Sequence, residues 1–213
     1  MPIVLVISDS MRNASLRQPE TSTTATVTHI AAGDDRTRYD RVTIALHWLT
    51  AALVLTLFLL SQTWGFLDKA DRGSLKLTHT TLGTLLVAVI VVRVAWRLFF
   101  GSRVVAANAG LMNVATRLGH FLLYILLALQ LWLGFLIGWS GKKAALNTFF
   151  GAIPSPFAAL TFTQEDHLFF EEIHDWFGWS IIVLATGHAF AALFHQYVLK
   201  DSLLSRMLPQ RAS

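Results

Sequence analysis

Residues 174–201 read HDWFGWSIIVLATGHAFAALFHQYVLKD. Between Trp176 and Leu199 there is no Asp, Glu, Lys or Arg, and a helix of about 20 apolar residues crosses the roughly 30 Å hydrocarbon core of a bilayer. The segment is therefore predicted to be a membrane-spanning helix. It carries His174 and His188, 14 residues apart. On a helix that spacing is about 21 Å of rise and nearly four whole turns, so both imidazoles leave one face at different depths. An ionisable side chain within a span is costly unless paired or liganded, which makes both residues functional candidates.

Three more segments share this character. Residues 42–67 run 26 positions without a charge. Residues 77–100 are interrupted only by Arg93 and Arg97 near their end, where long cationic side chains can reach the headgroups. Residues 118–141 are uncharged before the loop lysines Lys142 and Lys143. A fifth uncharged stretch, 144–164, contains Asn147, Gly151, Pro154 and Pro156; these would break a helix in lipid, so an interfacial loop or re-entrant turn is expected there.

The whole chain agrees with four spans. Its 213 residues are 54% hydrophobic and only 14% charged, with a mean hydropathy of +0.53, a composition that excludes a soluble globular enzyme. The net charge of +4 is divided between apolar blocks, so nucleic acid is not an expected partner. With no cysteine there can be no disulfide, thiolate-bound metal or Fe–S cluster. Residues 1–40 are Ser/Thr-rich without periodicity and are predicted to form a disordered cytoplasmic arm. The apolar run at positions 2–7 is too short for a signal-peptide core. Residues 41–201 form the predicted four-helix transmembrane domain, and 202–213 a cytoplasmic tail. Four spans put both termini on one side. Twelve basic residues fall on that side and five on the other, which makes the terminal side cytoplasmic by the positive-inside rule.

With that topology the histidines pair. His79 meets His174 near the outer surface, and His47 meets His188 in the inner half. Paired imidazoles on facing helices are the usual way a bundle holds a b-type haem, with the iron bound axially by both rings. A porphyrin face needs a small residue one turn from its ligand. Ala51, Gly83, Gly178 and Ala192 stand four positions after these histidines, whereas His120 is followed by Tyr124 and His195 by Leu199. Two imidazoles per site fall short of the three or four ligands usual for zinc. Arg93 and Arg97, four apart on one face, are candidate partners for a haem carboxylate. His120 and His195, near the inner surface, are candidates for a haem propionate, a quinone headgroup or interface anchoring. His29 falls in the arm and His167 in an acidic outer loop; both read as surface residues.

The segments RYDRVTIALHWL around His47, LTHTTLG around His79, VVRVAWRL around Arg93 and Arg97, LGHFLLY around His120, and residues 174–201 together resemble the bacterial cytochrome b561 family, from residue 38 to the C-terminus. The resemblance implies an all-α integral membrane four-helix bundle of the bacterial inner membrane. It also implies two haem b groups, with the family's ligand positions falling on His47, His79, His174 and His188. Electron transfer to membrane quinone is implied, with superoxide oxidation at the outer face in some members. Three readings follow. The chain is a self-contained electron carrier or superoxide:quinone oxidoreductase, or the haem-b subunit of a periplasmic dehydrogenase or hydrogenase complex, taking electrons from a periplasmic redox protein. A non-redox membrane metal transporter is the reading of another class; it predicts no pigment and acidic residues within the spans, where these four segments have none.

Overall fold

The computed structural model describes residues 38–101, 111–140, 145–156, 162–201 and 204–208. The arm up to residue 37, with His29, and the loop residues Lys142 and Lys143 lie outside the described residues. Four helices, α1 (Arg41–Thr63), α2 (Lys69–Phe99), α3 (Leu111–Ser140) and α4 (Gln164–Phe194), are long and apolar enough to cross a membrane. The fold is an all-α membrane bundle. A 3-10 turn, Trp64–Phe66, closes α1; a π turn, His195–Leu199, prolongs α4; and a last 3-10 turn covers Leu204–Met207.

Helices α2 and α4 begin well before the apolar segments that announce them. Asp68 caps α2 by accepting from the N–H groups of Ala70 and Asp71 at 3.1 and 3.0 Å. Thr163 and Asp166 form a reciprocal capping box at the start of α4, which satisfies N–H groups that have no partner within the helix. Both caps start their helices in polar surroundings and carry them on into the apolar core. His79 and His174 are therefore well inside their helices rather than at the openings expected of them.

Segment 144–164 differs from the expected loop. Its described part holds an antiparallel hairpin, β1 (Ala145–Thr148) and β2 (Gly151–Pro154). The helix breakers are what suit it to this form: Gly151 adopts φ 121°, open to glycine alone at low cost, and Pro154 ends its strand, where a missing N–H is tolerated. The hairpin lies on α2 and α3. Thr80 Oγ1 donates to the Asn147 carbonyl at 2.6 Å, Phe149 N–H donates to Thr81 Oγ1 at 3.0 Å, and Trp139 Nε1 donates to the Ile153 carbonyl at 3.3 Å.

Helix α1 packs chiefly on α2, and α3 on α4. Leu53, Leu57, Leu86 and Val89 form the buried seam of the first pair, while outward side chains such as Leu59 and Val183, 54% and 69% exposed, are left for lipid. Trp96 Nε1, at the end of α2, donates to the Asp40 carboxylate at the start of α1 (2.9 Å), and Trp48 Nε1 donates to the Met207 carbonyl (2.8 Å). The start of α1, the end of α2 and the segment after α4 thus gather at one end of the bundle, called here the terminal end. The hairpin occupies the opposite end.

Candidate functional site

All four helices border a cavity of about 420 Å³ near the hairpin end, within the range of small-molecule and cofactor sites. His79 of α2 and His174 of α4 line it, with ring centroids 6.3 Å apart and planes at 66°. Trp64 stands edge-on to His79 at 5.2 Å, and Lys76 lies over Trp64 at 5.6 Å. Because α4 begins at Gln164, Glu171 and Asp175 belong to the helix and join Lys76 in lining the cavity; the sequence reading had left all acidic residues outside the spans.

Three glycines shape the wall. A Cβ at Gly83 would meet no heavy atom within 4 Å, one at Gly134 would stand 3.5 Å from Cε1 of His174, and one at Gly178 would stand 3.4 Å from Nε2 of Gln130. Nδ1 of His79 and Nδ1 of His174 are buried without a hydrogen-bond partner. Such orphaned groups are uncommon and cost about 1–3 kcal/mol each. Two imidazoles facing each other across a glycine-walled cavity fit a bis-imidazole prosthetic group. Among the described residues, no group of three or more His, Cys, Asp or Glu converges as a metal-ion cage.

A second cluster forms toward the terminal end. The guanidinium of Arg93 donates to Nδ1 of His47 at 3.0 Å and lies 5.5 Å from the Tyr124 ring. His188 and His120 lie within the neighbourhood of His47 as well as Arg93. His120 and His188 are in edge contact at 4.9 Å. Nδ1 of His120 donates to the Thr116 carbonyl at 2.7 Å, so the lone pair of its neutral ring is on Nε2. His120 thus packs against His188 with its Nε2 uncommitted to Thr116.

The other candidates are placed elsewhere. Arg97 stacks over Tyr39 at 5.4 Å, while Arg93 turns to His47. His195 is buried and pairs through Nδ1 with the Asp201 carboxylate, at the π turn that ends α4; Lys200, at φ 56°, closes this turn by donating to the His195 carbonyl. His167 ties two helices together, with Nδ1 2.8 Å from Ser140 Oγ and Nε2 3.4 Å from Glu171. Gln130 and Gly134 were not among the sequence candidates. The available signal was a polar amide and a glycine four residues apart in the middle of an apolar span.

Comparison with known proteins agrees with this architecture. Residues 38–210 match the family described as prokaryotic cytochrome b561. Cytochrome b561 homolog 2 of Escherichia coli K12 is 32% identical over 179 residues, covering 83% of this chain and 94% of the relative. Cytochrome b562 of Cereibacter sphaeroides is 31% identical over 179 residues, covering 81% and 96%. A probable superoxide oxidase of Yersinia pestis is 26% identical over 180 residues, covering 82% and 97%. The family implies haem b, membrane electron transfer and a multi-pass position in a bacterial membrane. A family match over most of the chain, joined to the four spans, settles the class: the chain belongs to the prokaryotic cytochrome b561 family.

Proposed function

We propose that the protein is a dihaem cytochrome that moves single electrons between a donor on the periplasmic side, at the hairpin end, and a membrane quinone near the terminal end, with both termini cytoplasmic. The observation that carries this reading is the pair His79 and His174 facing each other across a glycine-walled cavity. These two would hold one haem b, and His47 and His188 the other. When bound, haem b supplies a one-electron iron couple.

The protein's part is to fix, insulate and balance charge. Gly83, Gly134 and Gly178 let a flat ring approach the helix backbones. Guanidinium is a donor only, so Arg93 makes Nδ1 of His47 an acceptor. Ligation through Nε2 would put a proton on that nitrogen, and Arg93 would then turn to another acceptor, for which a haem carboxylate is suited. Arg93→Gln should therefore shift the midpoint potential of the His47 centre while haem content stays unchanged. An unmoved potential in redox titration would return Arg93 to a purely topological role.

The test of the class is a reduced-minus-oxidised optical spectrum with haem quantitation; about two b haems per chain support it, and an unpigmented protein removes it. For the donor, the resemblance to a probable superoxide oxidase favours superoxide. Two superoxide anions would each give up one electron, and one quinone would take up both with two protons. Among the described residues Lys76 is the cation that lines the cavity beside Glu171 and Asp175, so it is placed to draw an anion inward. Haem reduction by superoxide, followed in stopped flow, should slow with Lys76→Glu and with salt, since screening acts over about 10 Å at 0.1 M. Absence of any reduction by superoxide would make the second reading the leading one, a haem-b subunit fed by a docked periplasmic redox protein.

A further inference from the structure

Gln130 sits in the middle of α3, where a side-chain amide is costly unless its polar atoms find partners. It lines the cavity with His174. Its Nε2 lies 3.4 Å from where a Cβ of residue 178 would stand, so the amide rests against α4 one turn past His174. The main-chain carbonyl of Gln130 also approaches the His174 ring as an acceptor, but Nδ1 makes no well-aligned bond with it. Yet Oε1 of Gln130 is buried without a donor, and Nδ1 of His174 is buried without a partner. An orphaned acceptor and an orphaned ring nitrogen therefore share one wall. The carboxylates nearby have other neighbours: Glu171 contacts His167, and Asp175 is within electrostatic reach of His79.

When Nε2 of an imidazole is a ligand, Nδ1 must carry the proton and calls for an acceptor, and such partners orient the ring and raise its basicity. We infer that Gln130 is a positioning residue of the hairpin-end centre: its Oε1 accepts the Nδ1–H of His174, fixing the tautomer that turns Nε2 into the cavity. This rests on the reading of His174 as a haem ligand. A hydrogen-bonded imidazole donates more strongly to iron and favours its oxidised form. Losing the acceptor should raise the potential, and a carboxylate in its place should lower it.

The experiment is a potentiometric titration of the full chain in membranes, with ferric low-spin electron paramagnetic resonance on the same samples. Gln130→Met keeps the shape and removes the acceptor; Gln130→Glu strengthens it. The component that disappears in His174→Ala should move up in the first and down in the second. A tenfold change in the one-electron equilibrium is about 59 mV, and a shift of that order is expected in each, with a changed largest g value. Loss of that haem in Gln130→Met with retention in Gln130→Glu also upholds the role, because only the oxygen distinguishes them. Shifts of the same sign, unmoved potentials, or loss of haem in both variants would overturn it and leave Gln130 as packing. If instead His174→Ala keeps both components, it is the ligand assignment that has failed.

Discussion

Alanine at either His79 or His174 should lower haem content from about two to about one per chain, and both variants should lose the same spectral component. If both rings hold one haem, as proposed, removing either would leave the group held from one side only. For the same reason the double variant should be no worse than either single, since residues that act on one group are not additive. His47→Ala and His188→Ala should remove the other component. At that end, however, His120 stands 4.9 Å from His188 with Nδ1 committed to Thr116, so its Nε2 can stand in as a ligand. Where His188→Ala retains haem with an altered spectrum, His188→Ala combined with His120→Ala should lose it. Haem is quantified in purified protein by its alkaline pyridine complex. Two haems with unchanged spectra in any one of the four single variants would remove that histidine from the ligand set, and His167→Ala should keep both.

The spans were legible because hydropathy over a bilayer's width is a strong signal, and the depth-matching of four histidines needs only 1.5 Å of rise per residue. The true starts of α2 and α4 were not, because charge was taken as the end of a span. Asp68 with Asp71, and Thr163 with Asp166, are helix-start signals that hydropathy ignores. Overlooking them also left Glu171 and Asp175 outside the helix that carries them to the cavity. The hairpin was missed for a related reason: Asn147, Gly151 and Pro154 were weighed as breakers of a helix, and their compatibility with a tight antiparallel turn was not pursued. The different partners of Arg93 and Arg97 were beyond a face argument. Residues four apart share a helix face, but here Tyr39, from the segment before α1, captures one of them. Gln130 and Gly134 became visible only when four helices closed around one space, since their significance lies in what faces them across it.

That space yields the second large effect. Gly83→Leu should give a folded protein that lacks the hairpin-end haem. In most helices such a change is argued from clash, but a Cβ at Gly83 meets no heavy atom within 4 Å, so a side chain there starts into open space on the cavity side. Helix propensity favours it, glycine being about 1 kcal/mol worse than alanine within a helix and leucine close to alanine. Gly83 also lines the cavity and stands four residues beyond His79, on the same face. A leucine there occupies space that a porphyrin between His79 and His174 would need. Stability and haem content should thus move in opposite directions, with thermal unfolding of the apo form no lower than wild type and haem falling from about two to about one per chain. Gly73, on the same helix, likewise has nothing within 4 Å of a new Cβ and does not line the cavity; Gly73→Leu should retain both haems. If Gly83→Leu binds two haems with wild-type spectra, the prosthetic group does not occupy the space between His79 and His174, and that centre must be sought elsewhere.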